Sequence, residues 1–254
     1  MKIEKIVVDM SKIYQFFETA KKEIKYENRF KNAKLDKLVE FLFFGELNKR
    51  YLKKGSTYHR ARIYTDVDAE KRYLSNEKNV FQGYDKDNSF INAKRDFVSA
   101  GRCNPQWIPY LYMSDSIECC IHEIRPAINS YISVATILVN QQIKILDLST
   151  DTIALMKHDN SKEILPSIPN GVLAQYLSGL FSTPYQIDSD YLITQYISEK
   201  IKEHYDGIAY KSSIYDGEGN TNYVIFDYDK CEAISSKLYK VKSIEIKCET
   251  NKKE

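Results

Sequence analysis

The amino-acid sequence predicts an α+β fold, in which a compact mixed-sheet domain follows a helical extension. Helix-type spacing of apolar residues dominates residues 1–54, whereas strand-type runs bounded by turn residues begin at Tyr58. Strands and helices then follow one another without regular βαβ repetition, which argues against a parallel doubly wound sheet. We therefore predict a helical extension over residues 1–56, a main domain over 57–245 and a charged tail over 246–254.

Two amphipathic stretches predict the helices of the extension. Their apolar residues recur at three- and four-residue steps, which gives each helix one apolar face. These residues are Ile13, Phe16, Phe17, Ala20 and Ile24 in the first stretch and Leu35, Leu38, Val39, Leu42 and Phe43 in the second. We expect the pair to buttress the main domain or to cover its site.

The main domain begins with predicted strands at residues 58–64 and 108–113. Asp115 or Ser116 is placed to cap a helix that Pro126 ends. Two β-rich runs, residues 131–139 and 143–148, are separated by three polar residues, and we predict that they form a hairpin. A helix at 191–204 and two strands at 208–214 and 223–226 complete the prediction.

Composition and charge argue against several classes of protein. The 37 basic and 35 acidic side chains leave a formal charge of +2, too balanced to indicate nucleic acid or anionic lipid as a partner. The five cysteines include no C-x-x-C pair, so neither a disulfide framework nor a metal site is indicated. No apolar run approaches the length of a membrane span. We expect a reduced, cytoplasmic setting.

One segment combines residues suited to a binding cleft. Gly101 and Arg102 precede a predicted strand that contains Tyr112, and Glu123 lies on the following helix. Glycine lets the backbone pass close to a ligand, and arginine offers a planar fork to phosphate oxygens. By residue type alone, an arginine and a glutamate across a cleft form a structural salt bridge at least as often as a catalytic pair.

The order of these residues resembles the RES domain family of bacterial toxins. The matching run is Gly-Arg-x-Asn-Pro-x-x-Ile-Pro-Tyr-Leu-Tyr from residue 101, followed by Glu-Ile-Arg-Pro from residue 123. Further matches follow in the family's order, so that the resemblance covers roughly residues 58–228. They lie at residues 130–135, 144–148, 194–197, 206–213 and 222–226.

The resemblance assigns the principal candidate residues. It places the family's arginine at Arg102, its tyrosine at Tyr112 and its glutamate at Glu123. Its serine falls at Ser212, with Ser213 as the competing choice, because the adjacent pair blurs the register.

Three further positions complete the comparison with the family. Arg60, in preference to Arg62, matches a basic position near the start of the domain, and Asn222 is a candidate for hydrogen bonding to the substrate. Trp107 is a departure, because many relatives carry glycine there. Its indole could narrow the mouth of the pocket or form a stacking wall.

The resemblance implies an enzyme that cleaves the nicotinamide–ribose bond of NAD⁺ by hydrolysis or phosphorolysis. It implies a fold related to ADP-ribosyltransferases and diphtheria toxin, NAD⁺ as substrate with no separate cofactor, and an Xre-type antitoxin as partner. Glu123 would stabilise positive charge on the ribose, and Tyr112 would stack on nicotinamide or bond to the sugar. Arg102 would bind the pyrophosphate or a ribose hydroxyl, with Arg60 as a second clamp. Two alternative functions stay open: ADP-ribosyl transfer to a protein, and a catalytically silent module that binds NAD⁺ or a protein. Assembly into a homo-oligomer also stays open.

Overall fold

The computed structural model describes residues 10–44, 49–75, 79–90, 95–149, 170–183 and 191–245. Within these ranges helices surround one mixed eight-stranded sheet, which confirms the predicted α+β class. None of the helices in the described ranges is long and apolar enough to cross a membrane. The predicted charged tail lies outside the described residues.

The elements follow one another along the chain without internal repetition. The helices are α1 (Met10–Tyr26), α2 (Ala33–Phe44), α3 (Ala69–Leu74), α4 (Lys86–Phe90), α5 (Ile117–Glu123), α6 (Asn170–Ser182) and α7 (Leu192–Ile201). The strands are β1 (Lys49–Leu52), β2 (Thr57–Tyr64), β3 (Leu111–Ser114), β4 (Tyr131–Val139), β5 (Ile143–Asp147), β6 (Gly207–Lys211), β7 (Thr221–Ile225) and β8 (Cys231–Lys240). The strand order is β1-β5-β6-β7-β3-β2-β4-β8, and β5 with β6 is the parallel pair.

The connection between β4 and β5 requires the sheet to fold over on itself. The three residues 140–142 span at most about 14 Å. Five interstrand steps separate the two strands in the sheet order, which would amount to about 24 Å in a flat sheet. The half-sheet β1-β5-β6-β7-β3 therefore packs across the half-sheet β2-β4-β8. Between β2 and β3 the two halves are joined by a single residue pair, His59 with Ser114.

The hairpin predicted for residues 131–139 and 143–148 is wrong in its pairing, although both strands are present. β4 pairs with β2 and β8, whereas β5 pairs with β1 and β6. Val139 and Ile143, at the two ends of the connection, are both buried in the core between the half-sheets. Both strands are so apolar that burying their faces outweighs pairing with the nearest strand in sequence.

Two helical layers cover the outer faces of the folded sheet. Successive residues of β7 alternate between layers, since Tyr223 belongs to the inner core and Val224 packs with the helices. Helices α1, α2, α6 and α7 share one buried cluster on the five-stranded half, and α5 packs on the three-stranded half. The cleft described below lies between these two layers.

The amphipathic pattern predicted for α1 and α2 is confirmed for the side chains that the structure describes, which do not include Leu42 and Phe43. The buried faces of α1 and α2 pack with α7, and the Tyr196 hydroxyl of α7 donates to Asp36 of α2 at 2.6 Å. The helices thus buttress α7. Residues 49–52, which we expected to continue the helical extension, instead form β1, because Leu52 is buried and the strand completes one edge of the sheet beside β5.

Candidate active site

A cleft of about 330 Å³ opens where β2 and β3 separate. Of the seven residues proposed from the sequence, five line this cleft: Arg60, Arg102, Tyr112, Glu123 and Asn222. Ser212 contacts it through Glu123, whereas Ser213 does not. The structure therefore brings together residues that are spread over more than half of the chain.

Glu123 occupies the last position of α5. The helix begins at the Ser116 cap, whose side chain accepts from the Cys119 backbone nitrogen at 3.1 Å, and this decides between the two caps predicted from the sequence. Two side chains fix the glutamate. Oε1 accepts from Ser212 Oγ at 2.7 Å and from Asn222 Nδ2 at 2.6 Å. A carboxylate held by two donors has little freedom to rotate, so its position in the cleft is defined before any ligand arrives.

The geometry favours Ser212 over Ser213 as the serine of the site. Ser212 Oγ also accepts from the backbone nitrogens of Ile214 and Tyr215, at 3.1 and 3.0 Å, so a local turn orients its hydroxyl. Ser213 is exposed and its hydroxyl donates to the backbone carbonyl of Ser182 at 2.7 Å. The substrate-binding role that we considered for Ser213 finds no geometric support.

Arg102 faces the same cleft as Glu123. Its guanidinium donates to the Phe181 carbonyl at the end of α6 and lies 5.3 Å from the centre of the Tyr210 ring. Burial lowers the pKa of Arg102, but Coulombic interactions with Tyr210, Cys103 and Glu123 raise it by more, so the pKa lies above its ordinary value. The side chain is therefore a fixed cation that is electrostatically coupled to the glutamate.

Tyr112 orients the loop that bears Arg102. Its hydroxyl donates to Asn104 Oδ1 at 2.8 Å and accepts from the Cys103 backbone nitrogen at 3.0 Å, and burial raises its pKa well above the ordinary value. A Cβ on Gly101 would lie 2.4 Å from the same Asn104 oxygen, which explains the glycine. Of the two roles predicted for Tyr112, stacking by the ring fits this arrangement better than a hydroxyl bond to a sugar.

Two residues of helix α7, which we did not assign to the site from the sequence, bond the loop that bears Arg102. Gln195 Nε2 donates to the carbonyls of Gly101 and Asn104, at 2.8 and 3.1 Å, and Thr194 Oγ1 donates to the carbonyl of Arg102 at 2.5 Å. Both residues lie in the segment 194–197 that resembles the family, but the resemblance assigned neither of them a role. Because α1 and α2 buttress α7, the N-terminal helices support the site indirectly.

We expect Gln195→Ala to lower the free energy of unfolding by roughly 1–3 kcal/mol, because two loop carbonyls lose their donor. Urea unfolding measures the change. Gln106→Ala is the matched control, since Gln106 is exposed near the same loop. Equal free energies of unfolding for the two variants would contradict a stabilising role for the two Gln195 hydrogen bonds.

Arg60 is a partly buried cation without a counter-charge in the described part of the chain. Its Nη1 donates to the Tyr112 carbonyl at 3.0 Å, and its Nε has no partner among the described residues. Burial, with repulsion from Arg62, lowers its pKa to about 10. None of the ion pairs between described residues includes Arg60. A partly buried guanidinium whose Nε has no partner among the described residues is suited to an anionic ligand.

Tyr191, Tyr210 and Ser114 are among the cleft residues that were not sequence candidates. Tyr210 alternates along β6 with residues of the inner core, and burial raises its pKa. Tyr210 falls in the segment 206–213 that resembles the family, whereas the signal for Tyr191 was the abundance of tyrosine in the sequence.

Trp107 lies outside the cleft, 59% exposed, so neither role considered for its indole is supported. Its φ of 68° is in the left-handed region, which explains why relatives carry glycine there. We expect Trp107→Gly to leave stability unchanged or to raise it by up to about 1 kcal/mol, because relief of strain offsets the flexibility of glycine.

Urea unfolding tests this expectation. Ile108→Gly serves as the control, because Ile108, next to Trp107 in the chain, does not have a positive φ and its replacement by glycine should be destabilising. A loss of more than 2 kcal/mol (roughly the cost of removing a packed side chain) in Trp107→Gly would contradict the explanation.

The fold and the cleft define an α+β protein with a folded-over sheet, in which one fixed carboxylate shares a cleft with two arginines and four tyrosines. The model of the RES domain family matches residues 84–245, more than half of the chain. The chain belongs to the RES domain family, and the resemblance noted in the sequence is confirmed.

The crystal structure of the M. tuberculosis MbcT–MbcA toxin–antitoxin complex is similar with a TM-score of 0.41 and 14% sequence identity, over 83% of this chain and 93% of that chain. No curated protein sequence matches the chain.

Proposed function

We propose that this protein is an enzyme that cleaves the nicotinamide–ribose bond of NAD⁺, by hydrolysis or phosphorolysis. The observation that supports it most is the fixed position of Glu123, whose Oε1 is bonded by Ser212 and Asn222 inside a cleft that two arginines also line. This arrangement offers a negative charge at one wall and two cationic groups for an anionic ligand.

The carboxylate suits the chemistry of this bond. The electron pair of the bond between ribose C1′ and the nicotinamide nitrogen leaves with nicotinamide, and C1′ acquires oxocarbenium character. Both hydrogen bonds to Glu123 end on Oε1, and no described residue bonds Oε2, so this oxygen can face the sugar. A negative charge there stabilises the transition state more than the ground state. Water or phosphate then bonds to C1′; with water, the products are ADP-ribose, nicotinamide and a proton.

The remaining polar groups suit the rest of NAD⁺. Arg60 and Arg102 present planar guanidinium groups, which match the oxygens of a pyrophosphate. The Nε of Arg60 would gain a partner from such an anion. The rings of Tyr112, Tyr191 and Tyr210 offer flat apolar surface to nicotinamide. These roles are part of the proposal.

Three features follow from the resemblance alone and stay predictions: a relation to the ADP-ribosyltransferase fold, a cytoplasmic setting and neutralisation by an Xre-type antitoxin. Growth arrest on expression, its absence in an inactive variant, and its relief by a co-expressed antitoxin would test the toxin character.

Incubation of the pure protein with NAD⁺, with and without phosphate, tests the proposed function. We expect free nicotinamide without labelling of any macromolecule. Dependence on phosphate distinguishes phosphorolysis from hydrolysis. Turnover that requires added lysate and labels a protein would favour ADP-ribosyl transfer, and tight NAD⁺ binding without turnover would favour a silent module.

A further inference from the structure

We propose that Ser114 is a positioning residue for Glu123 and acts through Asn222; its catalytic meaning rests on the proposed function. Ser114 is the last residue of β3 and lies directly opposite Asn222 in the ladder between β3 and β7. Both side chains are buried, with 3% and 5% exposure, and both residues line the cleft. Their cross-strand contact is therefore part of the cleft wall.

The hydrogen bonds that join Ser114, Asn222 and Glu123 all donate towards the carboxylate. An ionised carboxylate only accepts, so the Asn222 amide presents Nδ2 to Glu123, at 2.6 Å. Oδ1 of the same amide then faces Ser114 Oγ, which donates at 2.6 Å. The Cys119 thiol is a weaker second donor to that oxygen at 3.5 Å. Donation from the hydroxyl polarises the amide and strengthens its bond to the carboxylate.

Ser114 also removes an alternative orientation of Asn222. An amide side chain has two ends of nearly equal shape, and a flip would place Oδ1 against the glutamate oxygen, where both atoms repel. The serine hydroxyl stabilises the productive orientation, because it meets Oδ1 at close range. Without it, the Cys119 thiol at 3.5 Å would be the one donor to this oxygen among the residues that the structure describes.

The two supports of Glu123 are independent. The backbone nitrogens of Ile214 and Tyr215 orient Ser212, whereas Asn222 is oriented from another strand by Ser114. Loss of one support therefore leaves the other in place. We expect removal of the Ser114 hydroxyl to lower kcat less than removal of the carboxylate itself.

We expect Ser114→Ala to lower kcat about tenfold with KM unchanged, the effect of one buried hydrogen bond exerted through a second group. Ser114→Thr restores the hydroxyl and should recover most of the rate. In an Asn222→Ala background Ser114→Ala should add nothing, whereas with Ser212→Ala its effect should multiply. Ser236→Ala is the structural control, since this buried serine of β8 bonds the carbonyl of Tyr84 away from the cleft.

A wild-type kcat in Ser114→Ala, or the same tenfold loss without Asn222, would overturn the positioning role. The Asn222 side-chain amide resonance, identified by its loss in Asn222→Ala, provides a measurement that does not need turnover. We expect Ser114→Ala to shift it, and an unchanged resonance would also overturn the role. A wild-type protein that releases no nicotinamide would instead overturn the proposed function, whatever the amide resonance does.

Discussion

Replacing Glu123 with glutamine is expected to lower kcat for nicotinamide release about 100- to 1,000-fold, with little change in KM. Glutamine keeps the shape of the side chain and an oxygen for Ser212 and Asn222, which both donate to Oε1 in the wild-type protein. The substitution removes the negative charge, and that charge matters most when the ribose becomes cationic. Single-turnover assays with NAD⁺ would measure the loss in the bond-breaking step itself.

Glu118→Gln provides the matched control for this prediction. Glu118 lies on the same helix α5, and its side chain is exposed. We expect this variant to keep wild-type activity and stability, because its carboxylate faces solvent. The expected loss is far larger than twofold. If Glu123→Gln retained activity within about twofold of the control, electrostatic stabilisation of the transition state by this carboxylate would be excluded.

Arg102→Ala is expected to lower kcat/KM about 100-fold or more, chiefly through a higher KM. A pyrophosphate is bound equally in the ground state and in the transition state. Loss of the arginine that binds it therefore lowers the affinity for NAD⁺ more than it slows the chemical step. The contrast with the kcat effect at Glu123 distinguishes a binding role from a catalytic one. NAD⁺ titration followed by calorimetry would measure the affinity directly.

Two variants separate this role from a structural one. Arg102→Lys keeps the charge but loses the planar fork and the contact with the Tyr210 ring, so we expect an intermediate loss of about tenfold. Arg29→Ala removes an exposed arginine on the loop after α1 and should change nothing. Wild-type affinity in Arg102→Ala, with the fold intact by circular dichroism, would contradict binding of the pyrophosphate at this residue.

Elements defined by contacts close in sequence were predicted correctly. The spacing of Ile13, Phe17, Ala20 and Ile24 indicated α1, and all four side chains are buried. Ser116 was one of two caps proposed for α5, and it is the cap observed. Helical periodicity and capping depend on residues within a few positions of one another, so the amino-acid order alone suffices for them.

The pairing of strands was not available from the same information. The three-residue link between β4 and β5 indicated a hairpin, whereas the two strands lie in opposite half-sheets. Residues 49–52 became a strand because an edge of β5 was free to accept them. Both outcomes depend on which faces must be buried across the whole domain.

The same division applies to the site. Chain order and residue type were enough to propose Arg102, Tyr112 and Glu123, because the family motif is nearly continuous in sequence. Tertiary structure alone decided that the Tyr112 hydroxyl serves the loop, and that Ser212 rather than Ser213 reaches the glutamate. The bonds to Glu123 join residues 89 and 99 positions apart, so the register of the folded sheet, and not local sequence, determines which side chains meet.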